Sequence, residues 1–297
     1  MKVVLLGAGG MLARAVQAAA PAGVALRPFT RGQLDITNAA AMRAAVADRP
    51  EWVINCAAWT RVDAAEEHER DATLINGDAV GLVAREAGAV GARVVHVSTD
   101  YVFDGTLDRP YREEDAPNPQ GAYGRSKLAG ERALAASGAE WTMIRTQWLY
   151  GGGPSFVRTM WSRARQGLAS RVVDDQWGAP THVGEIAAVI WRLVGDGADG
   201  APAAGGTPTV GGEARGGGIW HAAAGGTTNW YEVARLVYTL AGGDPALVAR
   251  CSTAEYGATA ARPANGRLDT HKLGALRPWD VVLRESLLAA RGRADGP

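Results

Sequence analysis

Cysteine is nearly absent from this chain, and what is missing sets the first limits. Only Cys56 and Cys251 occur in 297 residues. Cys56 sits inside the apolar run "WVINCAAW" and reads as a buried free thiol, in keeping with a reducing compartment. An excess of either charge is missing too, since 31 Lys and Arg balance 31 Asp and Glu. No basic surface is therefore expected for nucleic acid or an anionic membrane. No apolar run reaches membrane-spanning length and no signal peptide precedes the first strand, so a cytoplasmic protein is expected. The five histidines, His68, His96, His182, His221 and His271, are scattered without ligand spacing, and no metal is assigned. No internal repeat is present.

What is present is an ordinary globular composition, 47% hydrophobic and 21% charged, in a chain long enough for one large domain or two coupled lobes. "KVVLL", "VALRPF", "EWVINCAA", "ARVVHVS" and "WTMIRT" read as strands. Helical stretches separate them. One has Thr37 as its expected N-cap, one runs from about Val62 to Ala89, and one covers about 123–137. Strands alternating with helices predict an α/β fold, a doubly wound parallel sheet of the Rossmann kind. A smaller C-terminal substrate-binding lobe is expected beside it. Residues 1–150 form the nucleotide-binding domain in this reading, with 183–194 and 218–224 returning to it. Residues 151–182 and 225–297 supply the second lobe, where Thr228 stands near the cap of a further helix. Residues 195–217, rich in Gly, Ala and Pro, bury too little apolar surface to order themselves and are expected to form a flexible loop.

The first strand ends in "GAGGMLA". Gly7 and Gly10 permit a tight turn and close backbone approach to a pyrophosphate, and the helix that follows offers N–H donors. A plain tight turn has the same glycines, but the position after strand one favours binding. At the end of strand two the segment "RPFTRG" has no acid to hold the ribose 2′-hydroxyl of NAD. Arg31 is placed for a 2′-phosphate instead, which favours NADPH with NADH as the alternative, and a solvated surface arginine is the competing reading. Asp35, a few residues on, is placed to reach the adenine.

In "GAYGRSK", Tyr123 and Lys127 stand four apart and share a helix face. The pattern fits a surface pair at a helix start, or a phenol made more acidic by a neighbouring ammonium for proton exchange. The pair alone does not choose.

Taken in order, "GAGGML", "LDIT", "VINCAAWTRVDAAE", "VSTDYVFDG", "PNPQGAYGRSK", "IRTQWLYG", "VVDDQWGAPTH", "GIWHAAAGGTTNWYEVA" and "RPANGRLDTHKL" resemble the dTDP-4-dehydrorhamnose reductase family of extended short-chain dehydrogenases. The resemblance covers nearly the whole chain. It implies NADPH-dependent reduction of the 4-keto group of a dTDP-linked 4-keto-6-deoxyhexose, with Thr99, Tyr123 and Lys127 as catalytic residues. It implies cofactor contacts from Gly7, Gly10, Met11, Leu12, Arg31, Asp35, Ile36, Ala57, Ala58 and Trp59, together with Tyr123 and Lys127. Substrate contacts are implied at Val62, Asp100 and Trp148, with Thr99 and Tyr123. In this reading Tyr123 protonates the C4 oxygen, Lys127 holds the ribose and favours the phenolate, and Thr99 hydrogen-bonds the developing alkoxide.

The chain departs from the family pattern at Trp59, Arg61 and Gln147. Some relatives bridge a dimer through Mg2+ held by a first-helix glutamate. Here Arg14 and Ala15 occupy that stretch, and Gly184 stands where a second glutamate is expected, with Glu185 one residue on. A metal-bridged dimer is therefore not expected; a monomer is, with a homodimer as the alternative. Two other functions fit the scaffold. A non-catalytic NADP(H)-binding regulatory subunit would be favoured by loss of the tyrosine or lysine, and both are present. A 4,6-dehydratase would carry an Asp-Glu pair after the threonine, where this chain has Asp100 and Tyr101.

Overall fold

The computed structural model describes residues 1–199 and 218–290. Strands β1 (Lys2–Leu6), β2 (Ala25–Phe29), β3 (Trp52–Asn55), β4 (Arg93–Thr99) and β5 (Trp141–Thr146) join Gly218–His221 in one six-stranded sheet. Every pairing in it is parallel, in the order Gly218–His221, β5, β4, β3, β1, β2. Parallel strands are covered on both faces, which explains their unbroken apolar runs. Val3, Val4, Leu5 and Leu6 of β1 are all 1% exposed or less. One face packs under α1 (Met11–Ala18) and the helix Val183–Asp199 through Leu12, Val16, Ile186 and Ile190. The other packs under α2 (Ala39–Ala45) and the helices Ala79–Ala89 and Ala122–Ala135 through Met42, Val83 and Leu134. The strand order reverses direction between β1 and β3. In open α/β sheets ligands bind at that switch point, beyond the carboxyl ends of the strands.

A third apolar cluster lies outside the sheet. Val157, Met160 and Trp161 of the helix Phe156–Arg165 meet Val233, Val237 and Tyr238 of the helix Trp230–Ala241, and Leu283 and Leu287 of Trp279–Ala290. The strand Leu149–Tyr150 leads from the sheet into this cluster. The helix Val183–Asp199 returns from it to the sheet. Of the loop expected over 195–217, residues 195–199 instead continue the helix Val183–Asp199, and the remainder lies outside the described residues. Among the described residues no helix is long and apolar enough to cross a membrane.

Two local expectations differ from the structure. Asn38, not Thr37, caps α2, accepting from Ala41 N–H at 3.1 Å. Thr37 is held back because Asp35 Oδ1 accepts both its N–H (2.9 Å) and its hydroxyl (2.8 Å). Thr228 stands beside the cap of the helix Trp230–Ala241, as expected: the cap is Asn229, whose Oδ1 accepts from Glu232 N–H at 2.9 Å. The helical stretch from Val62 to Ala89 is divided into Val62–Glu67, Glu69–Thr73, a π-helical turn Leu74–Asp78, and Ala79–Ala89.

Candidate active site

The glycine turn lies at the sheet's switch point. Gly7 has φ +75°, and a Cβ there would stand 2.6 Å from the Ala57 nitrogen. Only glycine lets the ends of β1 and β3 approach this closely. No side chain caps α1, whose N-cap is Gly10, so its first-turn N–H groups are left for an anion. Arg14 clamps the turn from outside, donating to Gly9 O (2.6 Å) and Gly152 O (2.9 Å). Leu12 and Ile36 are buried in the two core clusters, so they support the turn and the end of β2 from beneath. Met11 is half-buried beside them. Arg31 is exposed, and no carboxylate stands at the end of β2. The Asp35 carboxyl is held below its usual range by the Thr37 hydrogen bonds, with Arg31 adding to the effect. An uncapped helix start, a glycine a Cβ would block and an exposed guanidinium fit a dinucleotide carrying a 2′-phosphate.

Thr99 ends β4, and its hydroxyl donates to Asp100 Oδ1 at 3.0 Å while accepting from Tyr101 N–H at 3.2 Å. Tyr123 and Lys127 lie in the first turns of the helix Ala122–Ala135. That helix has no cap of its own; Glu66 accepts from Ala122 N–H at 2.9 Å. Trp59 and Tyr123 pack against the same small cluster of Ala65, Ala72 and Ala122. Val62 is half-buried at the start of the helix Val62–Glu67. Thr99 is among the groups that act on the Tyr123 phenol, so the end of β4 lies near the start of this helix.

The electrostatics differ from the sequence expectation. Burial, reinforced by the Asp100 carboxylate, pushes the Tyr123 phenol up to about 12, against the Thr99 hydrogen bond. Lys127 Nζ is directed to Val97 O at 2.7 Å and lies 3.4 Å from His96 Nε2. Burial lowers Lys127 to about 8, opposed by Glu131 and then Cys56. Burial raises Asp100 to about 7, against hydrogen bonds from Thr99 and from the backbone N–H groups of Asp100 and Tyr101. Its Oδ2 is buried without a hydrogen-bond partner. The Gly266 backbone lies against that atom, for a Cβ on Gly266 would stand 2.6 Å from it. Gly266 N–H donates to Trp177 O at 2.8 Å, and the Trp177–Gly178 strand pairs with Thr228–Asn229 just before Trp230. Trp148 stacks on Trp230, so the aromatic pair belongs to the wall that adjoins Asp100.

Several residues with site contacts were not singled out by sequence. Asn76 Oδ1 accepts from Trp59 N–H (2.8 Å), and its Nδ2 donates to Trp59 O (3.0 Å) and Ser126 Oγ (2.9 Å). Ser126 Oγ in turn donates to Tyr123 O at 2.7 Å. Asn76 thus braces the 57–59 loop against the tyrosine helix. Glu131 is fully paired, accepting from Ser98 Oγ (2.6 Å) and bidentately from Arg145 (2.9 and 2.7 Å).

A family model described as the RmlD substrate binding domain matches residues 1–290. The chain belongs to the dTDP-4-dehydrorhamnose reductase family. A dTDP-4-dehydrorhamnose reductase of Streptomyces griseus is 41% identical, covering 98% of this chain and 94% of its own. A dTDP-4-keto-6-deoxy-D-glucose reductase of Streptomyces niveus is 42% identical over 74% of this chain and 71% of its own. The crystal structure of a dTDP-4-dehydrorhamnose reductase from Bacillus anthracis str. Ames, in complex with NADP, is 31% identical. It superposes with a TM-score of 0.87 over 97% of this chain and 99% of that one. In the present chain Thr99 ends β4, and the helix carrying Tyr123 and Lys127 lies over that strand, with Lys127 Nζ bonded to Val97 O. Glu185 faces Arg277 at 3.9 Å. Among the described residues no group of three or more His, Cys, Asp or Glu side chains stands close enough to hold a metal ion.

Proposed function

We propose that the protein is an NADPH-dependent sugar-nucleotide ketoreductase that reduces the 4-keto group of a dTDP-4-dehydro-6-deoxyhexose. The observation that carries this reading is the convergence of Thr99, Tyr123 and Lys127 at the mouth of an uncapped glycine turn. It is joined by the shared activity in the names of near-full-length relatives. Bound NADPH would supply the hydride to C4. Gly7, Gly10 and the α1 N-terminus would hold its pyrophosphate, Arg31 would meet the 2′-phosphate, and the 57–59 loop would line the nicotinamide side.

A phenol with a pKa near 12 keeps its proton at neutral pH and can donate it to the C4 oxygen as charge develops there. The Thr99 hydroxyl, which donates to Asp100 Oδ1 here, becomes the second donor to that oxygen by rotating its one proton away from Asp100. Lys127, with a pKa near 8, is mostly cationic at neutral pH and holds the ribose. The unpartnered Asp100 Oδ2 is a ready acceptor for a sugar hydroxyl, and Trp148 supplies an apolar surface.

The test is incubation of the purified protein with NADPH and a panel of dTDP-4-ketohexoses, following NADPH absorbance and reading product stereochemistry by NMR. Consumption of at least one ketosugar supports the reading. Tight NADPH binding with no turnover of any member would turn it to the non-catalytic subunit.

A further inference from the structure

Behind Lys127 lies a polar chain to which the proposed reaction gives no role. Asn55 ends β3 and His96 is its register partner in β4. Both are buried, at 1% and 0% exposure, under the helix that carries Lys127, itself 2% exposed. Asn55 Oδ1 accepts from Ala57 N–H at 3.1 Å. That bond orients the carboxamide so that Nδ2 faces His96 Nδ1 at 3.3 Å. The opposite ring nitrogen, Nε2, faces Lys127 Nζ at 3.4 Å.

The protons in this chain conflict. An uncharged imidazole has one N–H and one lone pair. Burial, with the Lys127 ammonium beside it, holds His96 far below its ordinary range and therefore uncharged. If Nδ1 accepts from Asn55, the ring proton sits on Nε2 and points at Nζ. An ammonium also presents a proton there, and two donors oppose one another. Two arrangements remove the clash. Either Nζ is an amine and accepts from Nε2–H, or Nζ stays cationic, the ring proton moves to Nδ1, and the Asn55 amide turns. Turning the amide withdraws Oδ1 from Ala57 N–H, opposite Gly7. The other groups acting on Nζ are the Glu131 carboxylate, which Arg145 already pairs, and the Cys56 thiol. Burial holds that thiol protonated, up at about 12.

We infer that His96 and Asn55 are positioning residues that couple the protonation of Lys127 to the Ala57 peptide in the cofactor loop, through the imidazole tautomer and the orientation of the carboxamide. The inference rests on the reading of Lys127 as part of the catalytic machinery, and it deepens that reading. A buried polar pair that merely satisfied itself would stabilise the sheet without sensing Lys127.

Two measurements test it. In protein labelled with 15N-histidine, long-range proton–nitrogen NMR reads the His96 tautomer without substrate or turnover. The expected result is the Nε2–H form at alkaline pH, giving way to the Nδ1–H form as Lys127 gains its proton. A single tautomer across the whole range overturns the inference. The second measurement is single-turnover reduction against pH in Asn55→Asp, His96→Leu and the double variant. Asn55→Asp keeps the acceptor for Ala57 and accepts from Nδ1–H, so the alkaline limb should move up by about one pH unit. His96→Leu strips Nζ of a polar neighbour and should move the limb down. In the double variant the upward shift should largely vanish. Simple addition of the two single shifts, or no shift at all, overturns the coupling. A wild-type protein that turns over no ketosugar would defeat the catalytic reading, while the tautomer measurement would still decide the polar chain.

Discussion

Trp148 lies flat on Trp230, with ring centroids 3.7 Å apart and planes 16° from parallel. Its backbone is left-handed, φ 47°, an unusual conformation for a bulky side chain that persists only where surrounding contacts impose it. Trp230 is the first residue of its helix, placed by the Asn229 cap and backed by Phe156 at 4.5 Å. Removing the stack should therefore free Trp148. Trp230→Ala is expected to raise KM for the sugar nucleotide about tenfold, the equivalent of about 1.4 kcal/mol and within the range of an aromatic stack. KM for NADPH should stay unchanged, and Trp230→Phe should behave nearly as wild type. A parallel rise in both Michaelis constants would mean that the lobe as a whole has loosened.

The phenol of Tyr123 is the proposed proton donor, so Tyr123→Phe should keep NADPH binding and lose turnover by ~10²–10⁴-fold. Fluorescence titration with NADPH and steady-state kinetics on one preparation separate the two effects. A variant within a few-fold of wild-type rate would place the donor elsewhere.

The strands were legible because a parallel sheet buries whole runs such as Val3 to Leu6, and burial on both faces leaves its mark in composition. The glycine turn and the Tyr123–Lys127 pair were legible because their spacing is local. Features that depend on tertiary partners were not. The π-helical turn at Leu74–Asp78 coincides with Asn76, whose side chain is bound to Trp59 and Ser126, residues far away in sequence. The cap expected at Thr37 falls to Asn38 because Asp35 engages Thr37 in an Asx-type turn, which gives no hydrophobic signal. The sequence spacing of His96 bears only on metal ligation, whereas its neighbours come from strand register and an overlying helix. The direction of the Tyr123 shift depends on burial and on Asp100, and residue spacing encodes neither.

At the end of β2 the structure offers Arg31, exposed and close enough to influence Asp35, and no carboxylate for a ribose 2′-hydroxyl. Arg31→Ala should raise the Michaelis constant for NADPH about tenfold and leave that for NADH within twofold, since a phosphate contact from a guanidinium contributes roughly 1–2 kcal/mol. Kinetics with the two cofactors at saturating ketosugar check this. Equal effects on both would reduce Arg31 to a surface charge.

Asp104 organises the loop that follows the Thr99 strand. Its carboxylate accepts from the Tyr111 hydroxyl (2.6 Å), Asn118 Nδ2 (3.0 Å), and the Thr106 N–H (3.1 Å) and hydroxyl (2.8 Å). The Tyr111 bond is the main cause holding its pKa below the ordinary 3.8, with burial opposing. Tyr111 is itself buried and stacked on Phe103 at 4.2 Å, so the loop and the core share this anchor. A carboxyl whose folded pKa is depressed contributes stability that is complete above its unfolded pKa and disappears as pH falls through the folded value. Asp104→Asn should therefore cost about 1–2 kcal/mol around pH 7, where the carboxylate is ionised in both states and an amide cannot replace all its acceptor contacts. The gap between variant and wild type should narrow progressively below about pH 4, as the wild-type carboxylate begins to bind protons more readily unfolded than folded. Urea denaturation midpoints across that range measure it. A penalty that stays constant down to strongly acidic pH would show that the variant loses packing around Tyr111 rather than the charge on Asp104.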